Sequence, residues 1–184
     1  MKNLFSVSGK VALVTGGSRG IGLMIARGLV ENGVKTYISS RSDNACNAVA
    51  EELSSLGECI AIPADLSESN QVKRLADEII SREPKLHILV NNAGYGSYGS
   101  LEDVAMQEAR HQFEVNIFGL ARLTQLVLKS MRERGQGKII NVSSIGGKLG
   151  EPHGCWYHAS KYAVEGLSDS LRMELKQFKL RKEH

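Results

Sequence analysis

A five-residue apolar run that empties directly into a glycine-rich turn constrains this chain more than any other stretch. Residues 11–15 read V-A-L-V-T, and T-G-G-S-R-G-I-G follows over 15–22. The run is short, rich in β-branched residues and without alternation, as suits a strand buried on both faces of a parallel sheet. Beyond the turn, residues 23–32 carry helical spacing and Gly33 supplies a stop. A strand, a glycine turn and a helix N-terminus in that order aim main-chain N–H groups outward. Glycine there lets a pyrophosphate come close. The alternative is a turn that uses glycine only for its backbone angles. Gly16, Gly20 and Gly22 falling together in this strand–helix context favour the anion site.

The end of the second strand, 35–40 (K-T-Y-I-S-S), bears on which dinucleotide would fit. A site for NAD places a carboxylate at that strand's end, against the ribose hydroxyls. Here the strand runs into Ser39-Ser40-Arg41-Ser42. A carboxylate would repel a 2′-phosphate, whereas the Arg41 guanidinium and the Ser40 hydroxyl would bind one. Arg19 in the glycine loop adds a second cation. Solvated surface arginines are the alternative reading. NADP(H) is favoured over NAD(H).

Further along, 45–56 is an amphipathic helix closed by Gly57, 59–63 a third strand, 70–82 a helix and 86–90 a fourth strand. Asp65 after the third strand is placed to reach an adenine edge or to serve a turn. The fourth strand ends in Asn91-Asn92-Ala93-Gly94, small enough for a dinucleotide to pass over the sheet edge. A glycine- and tyrosine-rich loop, 95–100, comes next. A long helical region spans 106–134, with Asn116 and Gly119 among its apolar positions. Residues 138–144 (K-I-I-N-V-S-S) form a fifth strand, and 155–178 a helix with apolar residues three and four apart. The expected fold is α/β, a doubly wound Rossmann-type parallel sheet in the order 3-2-1-4-5. No linker or repeat divides the chain, so 1–184 reads as one domain.

Composition narrows the function classes. The 184 residues carry a net charge of +3, too small and too dispersed to argue for nucleic acid. Cys46, Cys59 and Cys155 have no metal-ligand spacing and read as reduced thiols, and no metal site is expected. No apolar run is long enough to span a bilayer, and the opening M-K-N-L-F-S-V-S-G-K does not read as a signal peptide. A cytoplasmic location is the expectation.

On the last helix Tyr157 and Lys161 are i and i+4, one above the other on the same face. A phenol beside a fixed ammonium ionises more readily, which makes it a usable proton donor and acceptor. Taken alone, the pair reads more readily as a half-buried phenol beside a solvated amine.

Together, T-G-G-S-R-G-I-G, N-N-A-G, Asn116, Ser144 and Tyr157-His158-Ala159-Ser160-Lys161 resemble the short-chain dehydrogenase/reductase family in order and spacing, from about Gly9 to Phe178. The resemblance implies Tyr157 as general acid in carbonyl reduction and base in alcohol oxidation. Lys161 would lower the phenol's pKa and bond the nicotinamide ribose. Ser144 would orient the substrate oxygen, and Asn116 would hold a water in a proton relay. Gly16, Ser18, Arg19, Gly20, Ile21 and Gly22 would line the cofactor phosphates. Asp65 and Leu66 would sit by adenine and Asn91 by the adenosine side, with Asn92, Ala93 and Gly94 along the cofactor's path. The substrate would be a small carbonyl or alcohol.

Two departures stand out. Family members continue into a sixth strand, a substrate lid and a seventh strand, whereas Phe178 is followed only by K-L-R-K-E-H. Residues 11–67 resemble bacterial NADPH-dependent acyl-chain reductases, while N-N-A-G-Y-G and N-V-S-S-I-G-G resemble steroid- and retinol-type dehydrogenases. Recombination, truncation or design would explain both; divergence within one branch is the alternative. The sequence therefore supports two functions: an NADP(H)-dependent oxidoreductase, or a catalytically silent nucleotide-binding or interaction fragment of one. The fifth strand would form an apolar edge, and a homo-oligomer through 106–134 and 155–178 is expected.

Overall fold

The strand that feeds the glycine turn lies at the centre of the sheet. The computed structural model describes residues 6–178; Met1–Phe5 and 179–184 lie outside it, and the expectations drawn from the two ends of the chain fall largely on those residues. In chain order the elements are β1 (Val11–Thr15), α1 (Gly20–Glu31), β2 (Lys35–Ser39), α2 (Asp43–Ser54), β3 (Cys59–Ala61), α3 (Ser69–Arg82) and β4 (Ile88–Asn91). Then come α4 (Met106–Phe113), α5 (Leu120–Arg134), β5 (Lys138–Asn141) and α6 (Cys155–Lys176). A π-helical turn, Glu114–Gly119, joins α4 to α5, and a 3-10 turn, Ile145–Gly147, precedes α6. All strand pairs are parallel and the order is β3-β2-β1-β4-β5, as the sequence led us to expect. The order turns back at β1, which opens a crevice at the carboxyl ends of β1 and β4.

Every residue of β1 is buried, so its two faces build two cores. Ala12 and Val14 pack with Ala26, Val30, Ala50 and Leu53 from α1 and α2. Leu13 packs on the other face with Leu75, Ile79, Leu123, Val127 and Met131 from α3 and α5. Strand alternation divides neighbours in this way. Each of the Val, Leu, Ile and Met side chains contributes about 1.5–3 kcal/mol by leaving water. A third cluster, Ile117, Leu120 and Val164, seats α6 against the π-helical turn.

Element ends differ from the sequence expectation by a few residues, for local reasons. Helix α2 starts at Asp43, because the Ser42 hydroxyl caps it by accepting from the Ala45 N–H at 3.3 Å. Strand β5 stops at Asn141, because Ser144 is drawn off to cap the 3-10 turn. The long helix is not a uniform α-helix. It widens into the π-helical turn where Gly119 meets the 60s loop: a Cβ on Gly119 would lie 2.3 Å from the Leu66 carbonyl oxygen. Strand β5 pairs only with β4 among the described residues, and Ile140 on it is 47% exposed. No helix among the described residues is long and apolar enough to cross a membrane.

Candidate active site

A cleft of about 630 Å³ runs along the carboxyl ends of β1, β2 and β4 and reaches α6. At one end the glycine loop forms its floor. Gly16 and Gly20 both have positive φ, 67° and 54°, which side chains other than glycine rarely adopt. Gly22 answers a different need: a Cβ there would lie 2.1 Å from the Gly16 carbonyl oxygen and 2.4 Å from Asn92 Nδ2. Asn92 in turn donates to the Thr15 carbonyl at 3.0 Å. The Thr15 hydroxyl accepts from the Asn92 and Ala93 N–H groups, both at 3.0 Å, and is 3.3 Å from the Val90 carbonyl. The ends of β1 and β4 are thus locked to each other beneath the N-terminus of α1, where Ser18, Arg19, Gly20 and Ile21 line the cleft.

Ser40 and Arg41 line the same end from the tip of β2. Asp65 and Leu66 come in from the segment after β3; Asp65 Oδ1 accepts from the Ser67 N–H and hydroxyl at 2.9 and 2.8 Å. Arg19 and Arg41 are exposed. Helix N-terminus, glycines and exposed cations form a donor set suited to phosphate.

At the other end α6 carries Tyr157 and Lys161 into the cleft. Lys161 is 7% exposed; its Nζ donates to the Val142 carbonyl at 3.1 Å and lies 5.9 Å from the centre of the Tyr157 ring. Burial pulls its pKa below the ordinary lysine value. Gly94 is the spacer there: a Cβ would lie 3.1 Å from Asn116 Oδ1 and 3.6 Å from Lys161 Nζ.

Asn116, 1% exposed inside the π-helical turn, is a cross-brace behind the cleft. Its Oδ1 accepts from the Tyr95 N–H at 3.0 Å, and its Nδ2 donates to the Tyr95 carbonyl at 2.9 Å and to Ser160 Oγ at 3.0 Å. Ser144 stands at the head of the 3-10 turn, where its hydroxyl accepts from the Gly146 N–H at 3.1 Å, while the adjacent Ser143 lines the cleft. Ser144 keeps its own O–H to donate. Asn91 is buried and does not line the cleft. Strand alternation turns it away from the glycine loop, to donate to Thr124 Oγ1 and Asn141 Oδ1 at 3.0 and 2.9 Å, and Asn92 takes the place facing the loop.

Sequence reasoning missed Thr15 as the lock and Tyr95 as the wall. Tyr95 lines the cleft and its hydroxyl donates to Glu108 at 3.1 Å. Burial, helped by that carboxylate, pushes its pKa up to about 12, so Tyr95 stays a neutral phenol. A tyrosine read as part of a loop gives no sign of this. Tyr98 adds a second ring, 5.7 Å from that of Tyr157.

Comparison with known proteins fits this geometry. The short chain dehydrogenase family matches residues 10–182. A probable short-chain type dehydrogenase/reductase, VdlC, of Helicobacter pylori is 40% identical over 91% of this chain, which spans 60% of that protein's length. A metagenomic short-chain oxidoreductase solved with NADP superimposes with a TM-score of 0.90 at 35% identity, over 94% of this chain and 79% of that one. RhlG of Pseudomonas aeruginosa, solved as an NADP active-site complex, gives 0.89 at 38% identity, over 97% and 72%.

Proposed function

The chain belongs to the short chain dehydrogenase family, and from that premise we propose that it is an oxidoreductase that moves a hydride between NADP(H) and a carbonyl or alcohol substrate. One observation carries the reading. The glycine loop with Arg19, Ser40 and Arg41, and the pair Tyr157 and Lys161, open into one continuous cleft. The Gly16–Gly22–Asn92 contacts pack the turn, α1 and the end of β4 too closely for side chains, the close helix–strand packing that a dinucleotide-binding turn uses. Arg19 and Arg41 would hold a 2′-phosphate. The NADP complexes among the related structures support the same choice.

When bound, the cofactor supplies or takes the hydride. The chain's own work is placement and one proton. As negative charge grows on the substrate oxygen, Tyr157 and Ser144 stabilise it with hydrogen bonds, and Tyr157 delivers the proton. Lys161 offers its ammonium to the phenol and the ribose. Asn116 fixes the Tyr95 main chain that walls the site, and is assigned the water of the proton relay.

The exposed apolar edge at Ile140, with Phe118 at 54% and Tyr162 at 49% exposure, supports association of copies through the helices that carry them. Sedimentation velocity showing concentration-dependent association would bear this out; a monomer at high concentration would refute it.

Steady-state NADPH oxidation across a panel of ketones and aldehydes tests the activity. Turnover with at least one carbonyl is expected. Tight NADPH binding without any turnover would favour a silent nucleotide-binding fragment instead.

A further inference from the structure

His158 follows the proposed acid directly and is only 8% exposed. Its ring is bonded to the main chain on both sides. Nδ1 lies 3.0 Å from the Gly146 carbonyl oxygen, and Nε2 accepts from the Glu151 N–H at 3.1 Å. A carbonyl can only accept and an amide N–H can only donate. Both bonds are therefore made by one form of the ring, neutral and protonated at Nδ1. Two glycines admit it: a Cβ on Gly146 would lie 2.9 Å from Nδ1, and one on Gly154 2.6 Å from Nε2.

Both arms end on parts of the substrate side. Gly146 is held at its carbonyl by His158 and at its N–H by the Ser144 hydroxyl. The same residue abuts the phenol, since its Cβ would lie 3.1 Å from Tyr157 Cε1. The other arm holds the loop before α6. Within that loop His153 has a φ of 63°, a conformation that a side chain disfavours and that the surroundings must hold. The His153 carbonyl accepts from the Gly99 N–H at 2.8 Å, next to Tyr98, whose ring faces Tyr157. A single imidazole thus connects the Ser144 turn, the 150s loop and the Tyr98 wall around one phenol.

We propose that His158 is a positioning residue: its Nδ1–H and bare Nε2 clamp the Ser144 turn and the 151–153 loop against Tyr157, and so set where the substrate carbonyl sits. The Gly146 arm governs the hydrogen bond to the substrate oxygen and hence kcat. The Glu151 arm governs the wall and hence KM. The catalytic half of the proposal rests on the oxidoreductase function; the clamp itself does not.

Side-chain length separates the arms. His158→Asn can donate at the Nδ1 position but is too short for Glu151. His158→Gln can accept at the Nε2 position. His158→Leu does neither. The readouts are amide hydrogen exchange at Glu151, NADPH affinity, kcat and KM. In the Leu variant, Glu151 exchange should rise and kcat/KM fall, each about tenfold, as for one lost hydrogen bond, with NADPH affinity unchanged. His158→Asn should recover kcat and leave KM raised; His158→Gln should recover Glu151 protection and KM. Leu values within twofold of the wild type would overturn the proposal. So would Asn and Gln variants that both match Leu, because ring volume would then be what matters. If the Leu variant does not fold, the Asn–Gln contrast decides alone. If the wild type turns over no carbonyl, the proposed function fails separately and exchange judges the clamp. Protection at Glu151 kept by Gln and lost in Asn supports it, and an unprotected Glu151 in the wild type overturns it.

Discussion

At the glycine-loop end of the cleft the cations Arg19 and Arg41 stand in water, whereas at the α6 end Lys161 is 7% exposed and tied to the Val142 carbonyl. An exposed guanidinium costs little to keep, is screened by salt, and adds modest affinity for a phosphate. A buried ammonium is disfavoured by desolvation, which its lowered pKa records. In the proposed function that charge is used on a neighbour, the Tyr157 phenol. On the proposed function one end of the cleft recognises and the other reacts, and substitutions at the two ends should fail in different ways.

The largest expected effect on cofactor binding is at the floor of the recognising end. Gly22→Ala puts a methyl 2.1 Å from the Gly16 carbonyl oxygen, so loop or helix must move. NADPH affinity should drop about 100-fold, close to the 1–3 kcal/mol typical of overpacking, as isothermal titration would read. Unchanged affinity would mean that the loop is not the cofactor floor.

Behind the reacting end, Asn116→Ala would strand the Tyr95 N–H and leave the Tyr95 carbonyl only the longer 3.4 Å bond from Gln112 Nε2. A loss of about 2 kcal/mol is expected, a fall of roughly 4–8 °C in Tm for a domain of this size. Calorimetry showing no shift would refute the cross-brace.

Smaller again is the charge reversal Arg41→Asp at the recognising end. It should erode the preference for NADPH over NADH by about tenfold, or roughly 1.4 kcal/mol, and leave NADH affinity nearly unchanged. Added salt should weaken NADPH more than NADH in the wild type. Equal Kd values for the two cofactors in the unmodified protein would sink the assignment of Arg41 and Arg19 to a 2′-phosphate.

The smallest effect is the pH dependence that Lys161 imposes on stability. Its folded pKa lies below the ordinary 10.5. Below the folded pKa both states carry the proton, and the folded state bears the full burial penalty. As pH rises from there toward 10.5 the folded state has already released the proton, and the penalty fades. Wild-type stability relative to Lys161→Met should therefore rise with pH over that window. A flat or falling difference in denaturant midpoints would contradict the buried, strained state of the ammonium.

The recognising end was far more legible in the sequence than the reacting end. Apolar runs at β1 and β4, glycines at fixed intervals and the missing acid after β2 are local signals, and they located the strand order and the loop. Gly16 and Gly20 were readable because their requirement, a positive φ, lies in their own backbone. Asn116 was visible only as an oddity in a helix. Its π-helical turn depends on Gly119 meeting Leu66 and on a side chain bonded to Tyr95, contacts between segments far apart in the chain. Asn91 and Asn92 were indistinguishable by type; which one faces the loop is set by strand alternation relative to a boundary the sequence left loose. His158 carries no periodic signal at all, because its partners are two main-chain groups from separate loops.

The most direct test of a recognising end and a reacting end measures NADPH affinity and carbonyl turnover together on the wild type and Tyr157→Phe. The variant removes one hydroxyl at the reacting end and nothing at the recognising end. Loss of a general acid should lower kcat about 10²–10⁴-fold, with the Kd for NADPH unchanged within twofold. Near-normal turnover by Tyr157→Phe, or a parallel loss of NADPH binding, would contradict the division of labour along this cleft.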